Sequence, residues 1–259
     1  MLVRWFAGAM LALTLGLTSP VANAGGAITV AAAADLKFAM DDIVSAYRHN
    51  HPADTIEVVY GSSGKFSTQI QQGAPFDLYF SADISYPRAL HKAGLTACTP
   101  KAYAVGRIVL WSGSVDASKL TLQDLARPQF DRIAVANPQH APYGKRAVQA
   151  LHASGVWDQV QNRLVFGENI AQTAQFVQTG NAKIGIIALS LALNPAFASK
   201  GGYAVIPDTL YQPLIQGYVI TKRAANNPVA RSFANFIDSP AAKKILQHYG
   251  FADAAASGH

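Results

Sequence analysis

The hydrophobic pattern of this chain switches repeatedly between two periods. Short apolar or alternating runs, the signature of strands, occupy residues 28–33, 55–60, 78–82, 103–111, 132–137, 163–167, 184–189, 203–206 and 214–221. Between them lie stretches with helical spacing, at residues 36–48, 66–72, 86–93, 122–126, 144–153, 170–179, 191–198, 228–237 and 241–249. In the first of these, Leu36, Met40, Ile43, Val44 and Tyr47 fall on one helical face and predict a buried stripe.

Strands alternating with helices of this length predict an α/β fold of mainly parallel sheets covered on both faces. Ligands in such folds gather at the carboxyl ends of strands. Four strand-to-helix junctions carry residues suited to that role: Ala33-Ala34-Asp35, Gly61-Ser62-Ser63-Gly64, Asn137 through Gly144, and Gly167-Glu168-Asn169-Ile170. Two lie early and two late, which predicts two lobes, each offering two helix starts to a shared cleft. The first lobe is expected to hold residues 27–105 plus 215–251 and the second residues 108–211. The long runs 103–111 and 214–221 are expected to cross between them and act as a hinge.

The second junction is the most informative. The first turn of a helix has amide hydrogens without internal acceptors, the helix dipole favours negative charge there, and Ser62 and Ser63 add hydroxyl donors. That combination suits an oxyanion. Read alone, the two serines could equally be a helix cap and a turn residue. A nucleotide-binding P-loop is a poor match, because the two glycines stand too close together and Lys65 is followed by Phe66.

The N-terminus changes the setting. Arg4 precedes an apolar stretch over residues 5–17, and Ala22-Asn23-Ala24 has the form of a cleavage site, so residues 1–24 read as an export signal. The apolar run is too short to span a bilayer. Without it about 235 of the 259 residues remain, with a formal charge lowered from +6 to +5 by loss of Arg4. The basic residues are scattered, which argues against nucleic acid but would help draw in small anions. Cys98 is the only cysteine, so neither an intrachain disulfide nor a cysteine metal cluster is expected. His140 reads as a structural polar residue. There is no Gly-x-Ser-x-Gly elbow and no His-Glu-x-x-His helix, so nothing points to an enzyme.

Several blocks together carry a family resemblance: Ala31 through Leu36, Gly61-Ser62-Ser63-Gly64, Gly73-Ala74-Pro75-Phe76-Asp77-Leu78-Tyr79-Phe80-Ser81-Ala82-Asp83, Asn137 through Gly144, and Tyr249-Gly250-Phe251. The chain resembles the periplasmic molybdate-binding proteins of ABC importers, within the two-lobed type II solute-binding proteins. The resemblance implies a monomeric periplasmic receptor that binds molybdate, and with it tungstate, through uncharged donors, needs no cofactor, and delivers its cargo to an inner-membrane permease. It places ligand contacts at Ala34, Asp35, Ser63, Tyr143 and Ile170, with molybdenum carried as the oxyanion and no protein atom on the metal. In the family the position of Asp35 is often Ser, Thr or Asn. An ionised carboxylate would repel a dianion, so Asp35 is expected to turn outward as a helix N-cap. Some relatives also supply a tyrosine hydroxyl where this chain has Ala188, and Tyr143 is the expected replacement. A receptor for phosphate or sulfate is the closest alternative, because a carboxylate in the cleft could accept a proton from a protonated phosphate. A ferric-ion receptor would need a tyrosine pair, and no adjacent pair exists here.

Overall fold

The computed structural model describes residues 25–198 and 201–254, so the expected export signal lies outside the described residues. β1 (Ala27–Ala33) passes through a 3-10 turn (Ala34–Leu36) into α1 (Lys37–Asn50), β2 (Thr55–Gly61) into α2 (Ser63–Gln71), and β3 (Leu78–Ser81) into α3 (Ser85–Lys92). β4 (Lys101–Gly106) is followed at once by β5 (Ile108–Ser112), then by β6 (Ile133–Ala136), α4 (Pro142–Ala153), α5 (Trp157–Val160), β7 (Leu164–Gly167) and α6 (Ile170–Gln178). β8 (Ile184–Ala188), α7 (Leu189–Ala192), α8 (Pro195–Ala198), β9 (Gly202–Val205), β10 (Leu214–Ile220), α9 (Pro228–Ile237) and α10 (Pro240–His248) complete the chain.

Two five-stranded sheets result, ordered β2-β1-β3-β10-β4 and β7-β6-β8-β5-β9. In each sheet four of the five strands run one way, as the mainly parallel expectation has it, and a single reversed strand makes the sheet mixed. β1 pairs in parallel with β2 and β3, and β6 with β7 and β8, whereas β10 and β5 run antiparallel to both of their neighbours. β5 follows β4 after the single residue Arg107 with no helix between them, and the two strands belong to different sheets. The expected strand over residues 103–111 is therefore two strands in different sheets. The chain returns to the first sheet through residues 206–213 and enters β10. The helical stretch expected over 191–198 is likewise broken into α7 and α8, because Pro195 cannot continue a helix and the Asn194 carboxamide oxygen accepts from the Ala196 amide at 3.0 Å. Residues 122–126 form a 3-10 helix, closed by a capping box between Thr121 and Asp124.

The cores follow the predicted faces. Met40, Ile43, Val44 and Tyr47 of α1 are buried with Val30, Phe80, Phe233 and Leu246, so α9 and α10 cover the first sheet together with α1. In the second lobe, Leu151 of α4 and Ala174 of α6 are buried in one cluster with Val135 and Ile186 of the sheet. Within the Gly73–Asp83 block, Asp77 is structural: its carboxylate accepts from the Thr29 amide at 2.8 Å and pairs with Arg223 at 3.2 Å, tying β1 to the start of β3. No described helix is long and apolar enough to cross a membrane.

Candidate functional site

β1, β2, β6 and β7 end at the same place, and each leads into a helical segment. Their first residues meet across the two sheets around a small chamber lined by Ala33, Ala34, Asp35, Gly61, Ser62, Ser63, Ala82, Ala141, Pro142, Tyr143 and Ile170. All five residues expected at the site are therefore brought together. The lining contains no lysine, arginine or histidine. What it offers to an anion is the set of amide hydrogens that helix starts leave without internal acceptors. On α6 this can be followed atom by atom. The Asn169 side chain accepts from the amides of Ala171 and Gln172 at 3.0 Å each, which leaves the Ile170 amide at the chamber uncapped by it.

The two serines have different tasks. Ser62 stands at the N-cap position of α2, but neither of its own helix amides bonds to its hydroxyl. Its Oγ meets His140 Nδ1 at 3.0 Å, in the other lobe. Ser63 is fully buried; its Oγ accepts from the Ala82 amide at 3.0 Å and its carbonyl accepts from the Tyr79 hydroxyl at 2.6 Å. A serine hydroxyl has one proton and two lone pairs, so Ser63 is fixed through an acceptor bond while its proton stays available to the chamber.

Asp35 corrects the expectation made for it. It is 1% exposed and faces inward, with no N-cap bond from its side chain. Its Oδ2 accepts from Gln216 Nε2 at 2.6 Å and from the Tyr143 hydroxyl at 3.0 Å, and Gln216 Nε2 also reaches that hydroxyl at 3.1 Å. Donors from two elements distant in sequence, β10 and α4, thus converge on one carboxyl oxygen. Burial pushes the Asp35 carboxyl up to about 6, with the bonds from Gln216 and then Tyr143 pulling the other way. The Tyr143 hydroxyl, held well above its usual range by burial first and the Asp35 charge second, stays a neutral donor. Its one proton goes to Asp35, so the expected hydroxyl contact in place of the missing tyrosine at Ala188 is not free, and Tyr143 faces the chamber as a helix-start residue. Ser190, two residues beyond Ala188, donates from Oγ to the Asp35 carbonyl at 2.8 Å.

Gln216 and Ser190 were not anticipated. A signal for Gln216 existed: it is a single polar residue in the apolar run Leu214 to Ile220, fully buried, and its Oε1 accepts from the Tyr103 hydroxyl at 2.5 Å. Gly106 makes this cluster possible, because a Cβ there would stand 2.3 Å from the Tyr143 hydroxyl oxygen and 2.7 Å from Gln216 Nε2. Gly106→Ala is expected to lower stability by about 1–3 kcal/mol through overpacking, read as a reduced melting temperature.

The lobes also touch at the lip of the chamber. The Gly64 amide donates to the His140 carbonyl at 2.8 Å, Lys65 Nζ pairs with Glu168 at 2.5 Å, and Arg146 Nη2 pairs with Asp83 at 3.1 Å while reaching the Pro213 carbonyl at 3.3 Å. The described conformation is thus a closed one. Lys65 and Glu168 are both well exposed, and such pairs contribute about 0–1 kcal/mol. Glu168→Gln is expected to speed ligand release by no more than about fivefold, measured by stopped-flow displacement.

The chain is also similar in sequence and fold to known proteins. The sequence matches the family described as bacterial extracellular solute-binding protein over residues 28–252. It is 37% identical over 246 residues to the molybdate-binding protein ModA of Azotobacter vinelandii, covering 93% of this chain and 96% of that protein. To the ModA of Rhodobacter capsulatus it is 34% identical, covering 93% of each. Among solved structures, the periplasmic molybdate-binding protein of A. vinelandii superimposes with a TM-score of 0.82 at 29% identity, over 87% of this chain and 98% of that one. A two-sheet fold with helix starts from both halves around one closed chamber, joined to a family match across nearly all the described residues, makes this chain a member of the bacterial extracellular solute-binding proteins.

Proposed function

We propose that this chain captures molybdate, and with it tungstate, between its two lobes in the periplasm and delivers the ion to an inner-membrane ABC permease. The observation that carries the reading is the chamber lining: helix starts at Ala34-Asp35, Ser63, Tyr143 and Ile170, with no cationic side chain among them. A dianion leaving water needs many aligned donors, and fixed amides and a fixed hydroxyl supply them without a countercharge that must itself be desolvated. The chamber would hold the oxyanion through Ser63 Oγ–H and the amides of Ser63, Tyr143 and Ile170, with molybdenum travelling as cargo and no protein atom bound to it. The named relatives support the choice of ion, and the interlobe contacts of Gly64, Lys65 and Arg146 support capture by closure. The role is that of a transport receptor and not of an enzyme.

Asp35 supports one second reading. A buried carboxyl inside the chamber could accept the proton of monohydrogen phosphate, which would make the chain a phosphate receptor. Calorimetric titration of the protein lacking residues 1–24 with molybdate, tungstate, sulfate and phosphate separates the two. Tight binding of molybdate and tungstate, with sulfate and phosphate silent, is expected. Binding of phosphate without molybdate would establish the second reading, and silence toward every oxyanion would refute both.

A further inference from the structure

Asp35 is the one ionisable carboxyl in the chamber lining, and its two oxygens have unequal surroundings. Oδ2 takes both neighbouring donors, Gln216 Nε2 and the Tyr143 hydroxyl. Oδ1 is buried and has no hydrogen-bonding partner among the described residues. It belongs to a side chain that lines the chamber, so it is the oxygen left to meet an occupant. If that occupant is a dianion with no proton of its own, two acceptors would face one another in a site closed to water. Such an arrangement is strongly unfavourable unless a proton lies between them.

We propose that Asp35 is the neutral carboxylic acid in the loaded receptor, that its Oδ1–H donates to an oxygen of the bound dianion, and that capture therefore takes up one proton from solvent. The inference deepens the molybdate reading and rests on it. The balance is simple: a solvent proton adds to Asp35 Oδ1 as the dianion enters and returns to solvent when it leaves, with no bond to the metal formed or broken.

The groups facing Asp35 from each neighbouring element are consistent with this. From α4 comes Tyr143, a neutral donor; from β10 Gln216; from β4 Tyr103, whose proton goes to Gln216; and from α7 Ser190, whose proton goes to the Asp35 carbonyl. The cations nearby are engaged elsewhere. On α1, Lys37 pairs with Asp41, and on α4 Arg146 pairs with Asp83. On β2, the Tyr60 hydroxyl donates to Asp41 and Glu57 is exposed, while α6 presents no titratable side chain. At the lip, Lys65 pairs with Glu168 at 2.5 Å and His140 Nε2 stands 3.6 Å from the other Glu168 oxygen. Among the described residues no positive charge is thus committed to keeping Asp35 ionised, and burial has already pushed its carboxyl up to about 6 before any dianion adds its own repulsion.

The sign follows directly. A dianion raises the carboxyl further, so above about pH 6 each binding event adds a proton. Affinity should then fall by about tenfold per pH unit from there upward, and level off below it where the acid is already formed. Asp35→Asn supplies a permanent donor on the same skeleton, with the amide oxygen still able to accept from Gln216 and Tyr143.

The test is calorimetric titration of the protein lacking residues 1–24 with sodium molybdate, between about pH 6 and 8, in pairs of buffers with different ionisation enthalpies. The expected result is uptake of close to one proton per molybdate near pH 8 and a steep loss of affinity with pH. For Asp35→Asn the expected result is no uptake, a flat profile, and affinity at least about tenfold above wild type at pH 8. The wild-type measurement stands even if the variant does not fold. Tight molybdate binding without proton uptake would overturn the proposal and leave the receptor reading intact. Uptake that persists undiminished in Asp35→Asn would assign the proton to another group such as His140 and overturn it equally. A wild-type protein that binds no molybdate would remove both the proposal and the reading beneath it.

Discussion

Gly64→Ala is expected to weaken molybdate binding by about 10²–10⁴-fold while leaving the first lobe as stable as before. The cause is steric. Gly64 lies in the first turn of α2, where its amide donates across the cleft to the His140 carbonyl at 2.8 Å. A Cβ at this position would stand 2.8 Å from that carbonyl oxygen and 2.9 Å from both Cα and Cβ of His140. Backbone cannot yield in the way a flexible side-chain end can, so the lobes would have to stay apart by a fraction of an ångström or more. An ion held by the first lobe alone loses the donors at Tyr143 and Ile170, and two bonds to a charged group at about 1.5–3 kcal/mol each give the stated range. In the open receptor the same substitution relieves a helical glycine and should be neutral or slightly stabilising, by up to about 1 kcal/mol. The melting temperature without ligand should therefore hold or rise as the affinity collapses. A variant that binds as tightly as wild type would show that this contact does not govern closure.

Ser63→Ala carries the next largest expected effect, a loss of about 10- to 100-fold in molybdate affinity. Ser63 is the one side chain of the lining whose hydroxyl proton has no partner in the protein framework while its oxygen is pinned, by the Ala82 amide at 3.0 Å. Preorganisation of this kind means that the ion gains a donor without ordering it. Removing the oxygen also leaves the Ala82 amide unpaired in a buried place, which should cost about 1–3 kcal/mol of stability. Ser62→Ala provides the contrast. Its hydroxyl meets His140 at the lip, so its loss should affect closure more than the ion itself, with an affinity change under about tenfold. Titration calorimetry on the two variants distinguishes them, and equal losses would contradict the division of labour between the serines.

Much of this arrangement is legible in the chain because it is local. The period of α1, the alternation of β2 and the residues at four strand ends are all set by neighbours a few positions away, and the four junctions so read, with the family resemblance, point to Ala34, Ser63, Tyr143 and Ile170, which the structure brings to one chamber. Asp35 lines the chamber as expected, but its inward orientation was not legible because its environment comes from far along the chain. Tyr143 is 108 positions away and Gln216 is 181, and only the folded state shows that both donors converge on one carboxyl oxygen. The local rule that an acidic residue at a helix start turns outward to cap it yields here to burial among partners. The sense of β5 and β10 was hidden for a related reason. Hydrophobic runs reveal strands but not direction, and the single residue Arg107 between β4 and β5 gives no sign that it separates two sheets. The lip contacts of Lys65 with Glu168 and Arg146 with Asp83 are likewise properties of closure, joining residues that nothing in their spacing connects.

The proposed function requires uncharged donors from both lobes to hold a tetrahedral oxyanion in the chamber between Ser63 and Ile170. The most direct measurement is a crystal structure of the molybdate complex with anomalous scattering recorded at the molybdenum absorption edge. The predicted result is a single strong molybdenum peak inside this chamber, with oxygens in hydrogen-bond range of Ser63 Oγ, the Ile170 amide and Asp35 Oδ1, and no lysine, arginine or protein ligand on the metal. A molybdenum peak elsewhere, or one coordinated directly by protein side chains, would contradict it.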